Sequence, residues 1–227
     1  MTEGEKNKGF DDHSQTLVFY PMFIHRFLRA FFHLLYHPFA FTYDFVAGAV
    51  SFGRWNEWVL TVLPFIQGTP ILELGHGPGH LQRVLLHRGL QTVGLDESAQ
   101  MGKLAKRRLG PASKLTRGLA QILPFRDKSF QTILSTFPSD YIFDQRTLPE
   151  ARRCLSDGGR LVVLPVGWPH SPLLKWLYRV TGESPSKLSE ALISRMKQPF
   201  INAGFSTEIR VVEVKSGNLL IVIAERK

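Results

Sequence analysis

The chain has 227 residues, enough for one domain with an appendage and a large buried core. Hydrophobic residues make up 44% and charged residues 21%, which excludes a disordered or fibrous chain, and the single cysteine, Cys154, excludes a disulfide framework or a multi-cysteine metal site. The formal net charge is +9, from 28 Lys+Arg against 19 Asp+Glu, and favours a polyanionic partner, either nucleic acid or anionic lipid headgroups.

Charge and aromatics are distributed unevenly. Residues 1–65 hold five Lys/Arg, six Asp/Glu and 11 of the 17 Phe, whereas residues 83–126 hold nine Lys/Arg and two acids. The pattern predicts an aromatic N-terminal attachment on a basic body. The polar opening MTEGEKNKGFDDHSQ lacks the apolar region and cleavage site of a secretory signal, so residues 1–16 are expected to be a disordered tail and the location cytoplasmic. No run of 18 uncharged apolar residues exists, so no spanning helix is expected.

Pro21 to Tyr36 has helical periodicity. Phe23, Ile24, Phe27, Leu28, Phe31, Leu34 and Leu35 form a broad apolar stripe, with His25, Arg26, Arg29 and His33 off it. Such a helix suits a membrane interface at the inner face, or a cap on the domain's own core. A second helical stretch is expected over Thr42 to Phe65, so residues 17–67 are taken as a helical cap. Gly68-Thr69-Pro70 marks a boundary.

From residue 68 the texture becomes β-α-β. Strands are expected at Ile71–Leu74, Gln91–Asp96, within Leu115–Ile122, at Phe130–Phe137 and at Arg160–Val166 after Gly158-Gly159. Helices are expected at Leu81–His87, Glu97–Leu109, Leu148–Leu155 and Ser189–Ala203. The strands Ser206–Val214 and Leu219–Ala224, joined at Ser216-Gly217-Asn218, read as an antiparallel hairpin. The expected fold is α/β and Rossmann-like: a seven-stranded, mostly parallel sheet closed by that C-terminal hairpin. Residues 167–186, rich in Trp and Leu, read as a lid inserted in the domain 68–227.

The strongest chemical signal is Ile71-Leu72-Glu73-Leu74-Gly75-His76-Gly77-Pro78-Gly79-His80, a buried strand that ends in a glycine turn and opens a helix. Without side chains at 75, 77 and 79 a ligand can approach the backbone, and amides at a helix start favour an anionic group. A dinucleotide fingerprint, G-x-G-x-x-G, would need glycine where His80 stands, so the match is E-x-G-x-G-x-G. Asp96 ends the second strand 21 residues after Gly75, where a carboxylate can take both hydroxyls of a ribose or cap the helix that follows.

These residues resemble the class I S-adenosylmethionine-dependent methyltransferases. The resemblance rests on Glu73 to Gly79, Val93-Gly-Leu-Asp96, Leu123-Pro124-Phe125 with Ser129-Phe130, the run from Glu150 to Val163, and the closing hairpin. Over about residues 68–227 it is most similar to the ubiquinone/menaquinone-biosynthesis group. It implies S-adenosylmethionine as cofactor. Glu73, Gly75, His76, Gly77 and Gly79 would hold the methionine moiety and Asp96 the ribose. Glu97, Ser98 and Met101 would flank sugar and adenine, Ala120 and Gln121 the adenine edge, and Thr136 and Phe137 the sulfonium. Relatives commonly carry an acid where this chain has Leu119, and Asp where it has Gln131.

Methyl transfer from a sulfonium is an in-line displacement that chiefly needs alignment and water exclusion. A proton acceptor depends on the substrate, and the candidates are Asp140, Tyr141 and His80. The expected acceptor is apolar or lipid-like, of the quinone-precursor or phospholipid-headgroup class, with an anionic membrane surface met through residues 21–36 and 168–180. Two readings compete. A nucleic-acid methyltransferase is suggested by Lys103, Lys106, Arg107, Arg108, Lys114 and Arg117, but Thr136-Phe137-Pro138-Ser139 lacks the clamp used for flipped bases. A non-catalytic scaffold is suggested by the missing adenine acid.

Overall fold

The computed structural model describes residues 54–170 and 190–227. The expected tail, the expected helix over 21–36 and most of the expected insertion at 167–186 lie outside the described residues.

Seven strands form one sheet in the order β3-β2-β1-β4-β5-β7-β6. They are β1 (Ile71–Leu74), β2 (Thr92–Asp96), β3 (Leu115–Arg117), β4 (Phe130–Thr136), β5 (Leu155–Pro169), β6 (Phe205–Val214) and β7 (Gly217–Arg226). The first five run parallel to their neighbours, and β7 pairs antiparallel with both β5 and β6. The expected sheet is therefore the observed one.

Helices cover both faces because β1 and β4 are apolar on both sides. On one face Leu72, Leu74, Ile133, Leu161 and Val163 pack with Ile142, with Ala151 of α4 (Thr147–Cys154) and with Phe200 of α5 (Glu190–Asn202). On the other, Ile71, Leu134, Val162 and Leu164 pack with Leu81 and Leu85 of α2 (His80–His87) and with Trp58 and Val59 of α1 (Trp55–Val59). A further helix, α3 (Ala99–Leu109), buries Met101 and Ala105.

The structure redraws three sequence boundaries. The segment 55–66, grouped by sequence with the cap, lies in the core: Trp58 is 1% exposed and Val62 fully buried. It splits into α1 and a 3-10 helix, Leu60–Phe65, that carries Pro64. Gly167 makes this packing possible, since a Cβ there would lie 3.0 Å from the Trp58 ring. The expected lid starts later than residue 167, because β5 continues to Pro169 along β7. Gly158-Gly159 does not open the strand. It sits in a wide bulge, in which β5 advances from Leu155 to Arg160 while β4 advances from Phe130 to Thr132.

The C-terminal hairpin is also tighter than expected. Val214 pairs with Gly217, leaving the two-residue loop Lys215-Ser216. Asn218 belongs to β7 because the end of β5 supplies a second ladder, Trp168 against Asn218 and Pro169 against Gly217. The Ser216 hydroxyl accepts a 2.9 Å bond from Trp58 Nε1. Among the described residues no helix is long and apolar enough to cross a membrane.

Chain order creates the site. From β1 the sheet grows outward to β2 and β3, then returns to β4 on the other side of β1. The carboxyl ends of β1 and β4 therefore flank the point where strand order reverses, where the crevice for a ligand usually lies in such sheets. Trp58→Ala should cost about 3–5 kcal/mol in urea unfolding at pH 7 if the segment 55–66 belongs to the core. Unchanged stability would return it to the appendage.

Candidate active site

Glu73 stands at the head of the crevice. Strand alternation points it to the α2 face of the sheet among Ile71, Leu81 and Leu85, and it is 2% exposed. Burial pushes its carboxyl up to about 8, against a lowering bond from Gln82, and the nearby Asp96 charge adds to the rise. Its Oε2 has no hydrogen-bond partner among the described residues. Gln82, buried and also bonded to Thr92 Oγ1 at 3.0 Å, was not singled out from sequence. Its place one turn inside α2 looks like that of any helix residue.

The turn after β1 is held from the side. Gly75 and His76 donate to the Leu95 carbonyl at 2.8 and 3.3 Å, Gly77 donates to Asp96 Oδ2 at 2.9 Å, and Gly79 donates to the His76 carbonyl at 3.0 Å. The sequence suggests these amides as donors to a ligand. In the structure they hold the loop against β2, since a turn packed beside a neighbouring strand must satisfy its own N–H groups. What the loop offers instead is space. Gly77 adopts φ 53°, and a Cβ there would meet no atom within 4 Å. A Cβ at Gly75 would lie 2.8 Å from the Tyr141 hydroxyl, so that glycine serves close approach.

Asp96 joins the strand end to the next helix. Its Oδ1 accepts from Ser98 N–H at 2.8 Å while Oδ2 holds Gly77. Ser98 caps α3 by accepting from Met101 N–H. Met101 is fully buried, and Glu97 is exposed, its carbonyl accepting from Arg117 Nε. His76 is turned inward: its ring packs against Gly94, its Nδ1 contacts the Gly77 carbonyl at 2.7 Å, and burial lowers its proton affinity. Ala120 and Gln121 follow β3. Ala120 is buried, and Gln121 follows it, near the Asp144 carboxylate that Arg146 grips with two side-chain nitrogens.

Around β4, Tyr141 is the central finding. It lies in the short 3-10 helix Asp140–Phe143, and its hydroxyl donates to the Leu74 carbonyl at 2.9 Å and shares a 2.7 Å bond with Ser135 Oγ. The phenol thus pins the ends of β1 and β4 together across the crevice floor. His80 Nε2 contacts Arg108 Nη1 at 2.9 Å, and the same Nη1 donates to the Pro78 carbonyl at 3.0 Å. Arg108, an unassuming member of a basic helix in the sequence, ties α3 to the glycine loop. Asp140 is exposed at the start of the 3-10 helix, and Thr136 ends β4. Phe137 adopts φ 47°, a costly conformation for a bulky residue, and its ring centroid lies 4.1 Å from that of Trp55 and 6.3 Å from that of Trp58. This aromatic group walls the β4 side.

A parallel sheet with a glycine turn after β1, an acid ending β2 and a crevice between β1 and β4 defines an α/β nucleoside-cofactor enzyme of the methyltransferase type. Comparison with known proteins agrees. The profile of the family described as "Methyltransferase domain" matches residues 72–163. A demethylmenaquinone methyltransferase of Thermotoga maritima is 30% identical over 192 residues, covering 82% of this chain and 79% of that protein. A ubiquinone/menaquinone biosynthesis C-methyltransferase of Geotalea daltonii is 30% identical over 148 residues, covering 60% and 63%. Among solved structures, a SAM-dependent methyltransferase of Methanosarcina mazei shares the fold with a TM-score of 0.55 at 18% identity, covering 73% and 96%. Phosphoethanolamine N-methyltransferase 2 of Haemonchus contortus, solved with S-adenosyl-L-methionine, does so at 0.60 and 16%, covering 86% and 59%. The chain belongs to the class I S-adenosylmethionine-dependent methyltransferases, in the ubiquinone/menaquinone-biosynthesis group. It is an enzyme, and its cofactor is S-adenosylmethionine.

Two measurements check the site. Folding holds the Glu73 proton more tightly than the unfolded chain does, so this group favours the folded state most below its ordinary value of 4.5. That contribution is lost as pH rises towards about 8, by up to about 1.4 kcal/mol per pH unit. Glu73→Gln should flatten this slope in denaturant titrations and raise stability above pH 8 relative to the parent. Tyr141→Phe should cost about 1–2 kcal/mol, through the orphaned Leu74 carbonyl and Ser135 hydroxyl, and leave the pH dependence of kcat unchanged. A shifted pH profile would instead make Tyr141 a proton acceptor.

Proposed function

We propose that this enzyme methylates the ring of a lipophilic quinone precursor, in its reduced, hydroquinone form. The observation that carries this reading is the 30% identity, over most of both chains, with a protein named demethylmenaquinone methyltransferase. The Trp55–Phe137 stack beside the end of β4 supports it, because a flat apolar ring packs well against such a wall.

The residues around the crevice fit S-adenosylmethionine. The buried, unpartnered Glu73 Oε2 meets the need of an ammonium group, whose charge would bring the carboxyl back to its ionised form. The open space above Gly77 accommodates the methionine chain. Each Asp96 oxygen accepts one backbone N–H and keeps a lone pair for a ribose hydroxyl. Thr136 and the aromatic wall stand where the reacting methyl and its acceptor would meet. Leu119 offers no carboxylate to the adenine amino group. Gln121 supplies an amide to that edge in place of the acid.

When bound, the cofactor supplies a methyl group on a sulfonium and leaves as a neutral thioether. The protein's part is to exclude water, align the ring carbon and take the proton released from the hydroquinone. Of the three proton-acceptor candidates, the assignment is Asp140, which opens the 3-10 helix directly after β4 beside the aromatic wall. The nucleic-acid reading is weakened by Cys154. Its thiol is fully buried and pushed up to about 11 by burial, which removes it as a cytosine nucleophile.

The test is methyl transfer from labelled S-adenosylmethionine by the full chain, with detergent-dispersed demethylmenaquinol as acceptor and phosphoethanolamine as competitor substrate. Label in the quinol alone is expected, and label in phosphoethanolamine alone would overturn the reading. Asp140→Asn should lower kcat about 100-fold, with cofactor affinity unchanged by calorimetry.

A further inference from the structure

Several described cations are held in ion pairs: Lys128 with Asp157, Arg146 with Asp144, Arg153 with Glu150 and Asp127, Arg160 with Glu225, and Arg210 with Glu208. Others, such as Arg152 and Lys215, are in none among the described residues, and at the β3 edge five such cations lie close together in sequence. Among the described residues no ion pair includes Lys103, Lys106, Arg107, Lys114 or Arg117. Asp96, one of two acids between residues 83 and 126, is turned to the glycine loop.

The geometry gathers these charges. Lys103, Lys106 and Arg107, spaced three and four apart, share the face of α3 opposite the buried Met101 and Ala105, and with Pro111 they line one open depression. Lys114 and Arg117 are exposed at β3, the outermost strand on that side of the sheet. The chain then turns at Gly118. Leu119 and Ile122 pair in an isolated antiparallel bridge, which places both side chains on one face, and they are 47% and 66% exposed. Gln121, which the family resemblance puts at the adenine edge, lies between them in the chain.

We propose that the β3 edge is a docking surface for an anionic bilayer. The five cations meet lipid phosphates, while Leu119 and Ile122 enter the acyl boundary and bring the crevice mouth to the membrane. A polyanion such as RNA would satisfy the cations but leave the apolar tip without a role. The choice of lipid also rests on the lipophilic acceptor proposed above. None of its residues belongs to 21–36 or 168–180, the membrane segments expected from sequence.

Flotation of the full chain with phosphatidylcholine vesicles, with and without phosphatidylglycerol, tests the proposal in the absence of any acceptor. Binding should require phosphatidylglycerol and weaken with salt. At about fivefold per cation, Lys103→Ala, Lys106→Ala and Arg107→Ala combined should lower partitioning about 100-fold, with calorimetric cofactor binding unchanged. Leu119→Ser with Ile122→Ser should lower it at least about tenfold. Partitioning unchanged in the triple variant overturns the proposal, as does a short RNA duplex that displaces vesicles and binds the tip variant as tightly as the parent. Vesicle binding with the expected residue dependence supports the surface even if demethylmenaquinol is not methylated in detergent. Methylation in detergent alongside vesicle binding that ignores the triple variant overturns the surface and leaves the acceptor reading intact.

Discussion

A single hydrogen bond, from the Gly77 amide to Asp96 Oδ2 at 2.9 Å, organises the carboxyl edge of the sheet. It fixes a turn that would otherwise be loose, because three of its five residues are glycines in the left-handed region. The same carboxylate holds the Ser98 amide, so one side chain sets both the loop after β1 and the start of α3. With Gly75 and His76 bonded to Leu95, the loop behaves as an extension of the β1–β2 ladder. Preorganisation of this kind lowers the ordering cost of binding a flexible cofactor.

On the other side of β1 the corresponding tie is Tyr141. Its bonds to Leu74 and Ser135 close the floor where β1 and β4 part, and its hydroxyl occupies the volume a Cβ at Gly75 would need. Arg108 supplies a third restraint through the Pro78 carbonyl. The site is therefore braced from β2, β4 and α3. Glu73 stands apart, a buried carboxyl with one oxygen unpartnered among the described residues. Buried acids are kept in that state at a cost in stability, and the site for a cationic ligand is a physical reason to keep one.

The charge arrangement follows the same division of labour. Arg153–Glu150 braces α4 along its own length, and Arg160–Glu225 joins β5 to β7. The β3 edge carries its cations without such pairing among the described residues. A sheet with such a cluster of cations at one edge presents a direction to a charged surface.

Much of this was legible in residue order. The period-two runs at Ile71–Leu74 and Arg160–Val166, the glycine turn and the acid at 96 are local signals, and local signals survive without knowledge of neighbours. They fixed the sheet class, the position of the loop and the family likeness. What residue order could not carry were contacts between distant segments. Trp58 enters the core because Gly167 leaves room for its ring, and Asn218 joins β7 because β5 runs on beside it. Tyr141 reads as a candidate base beside strand four, and only the fold shows its hydroxyl bonded to Leu74 and Ser135; Arg108 reads as one more surface cation until Pro78 lies against it. Sequence determined which groups this protein owns and the period on which its strands and helices run. Only the tertiary structure decided which of those groups are already bonded to one another and which remain for a ligand, because a hydrogen bond depends on a few tenths of an ångström between residues that the chain separates by dozens of positions.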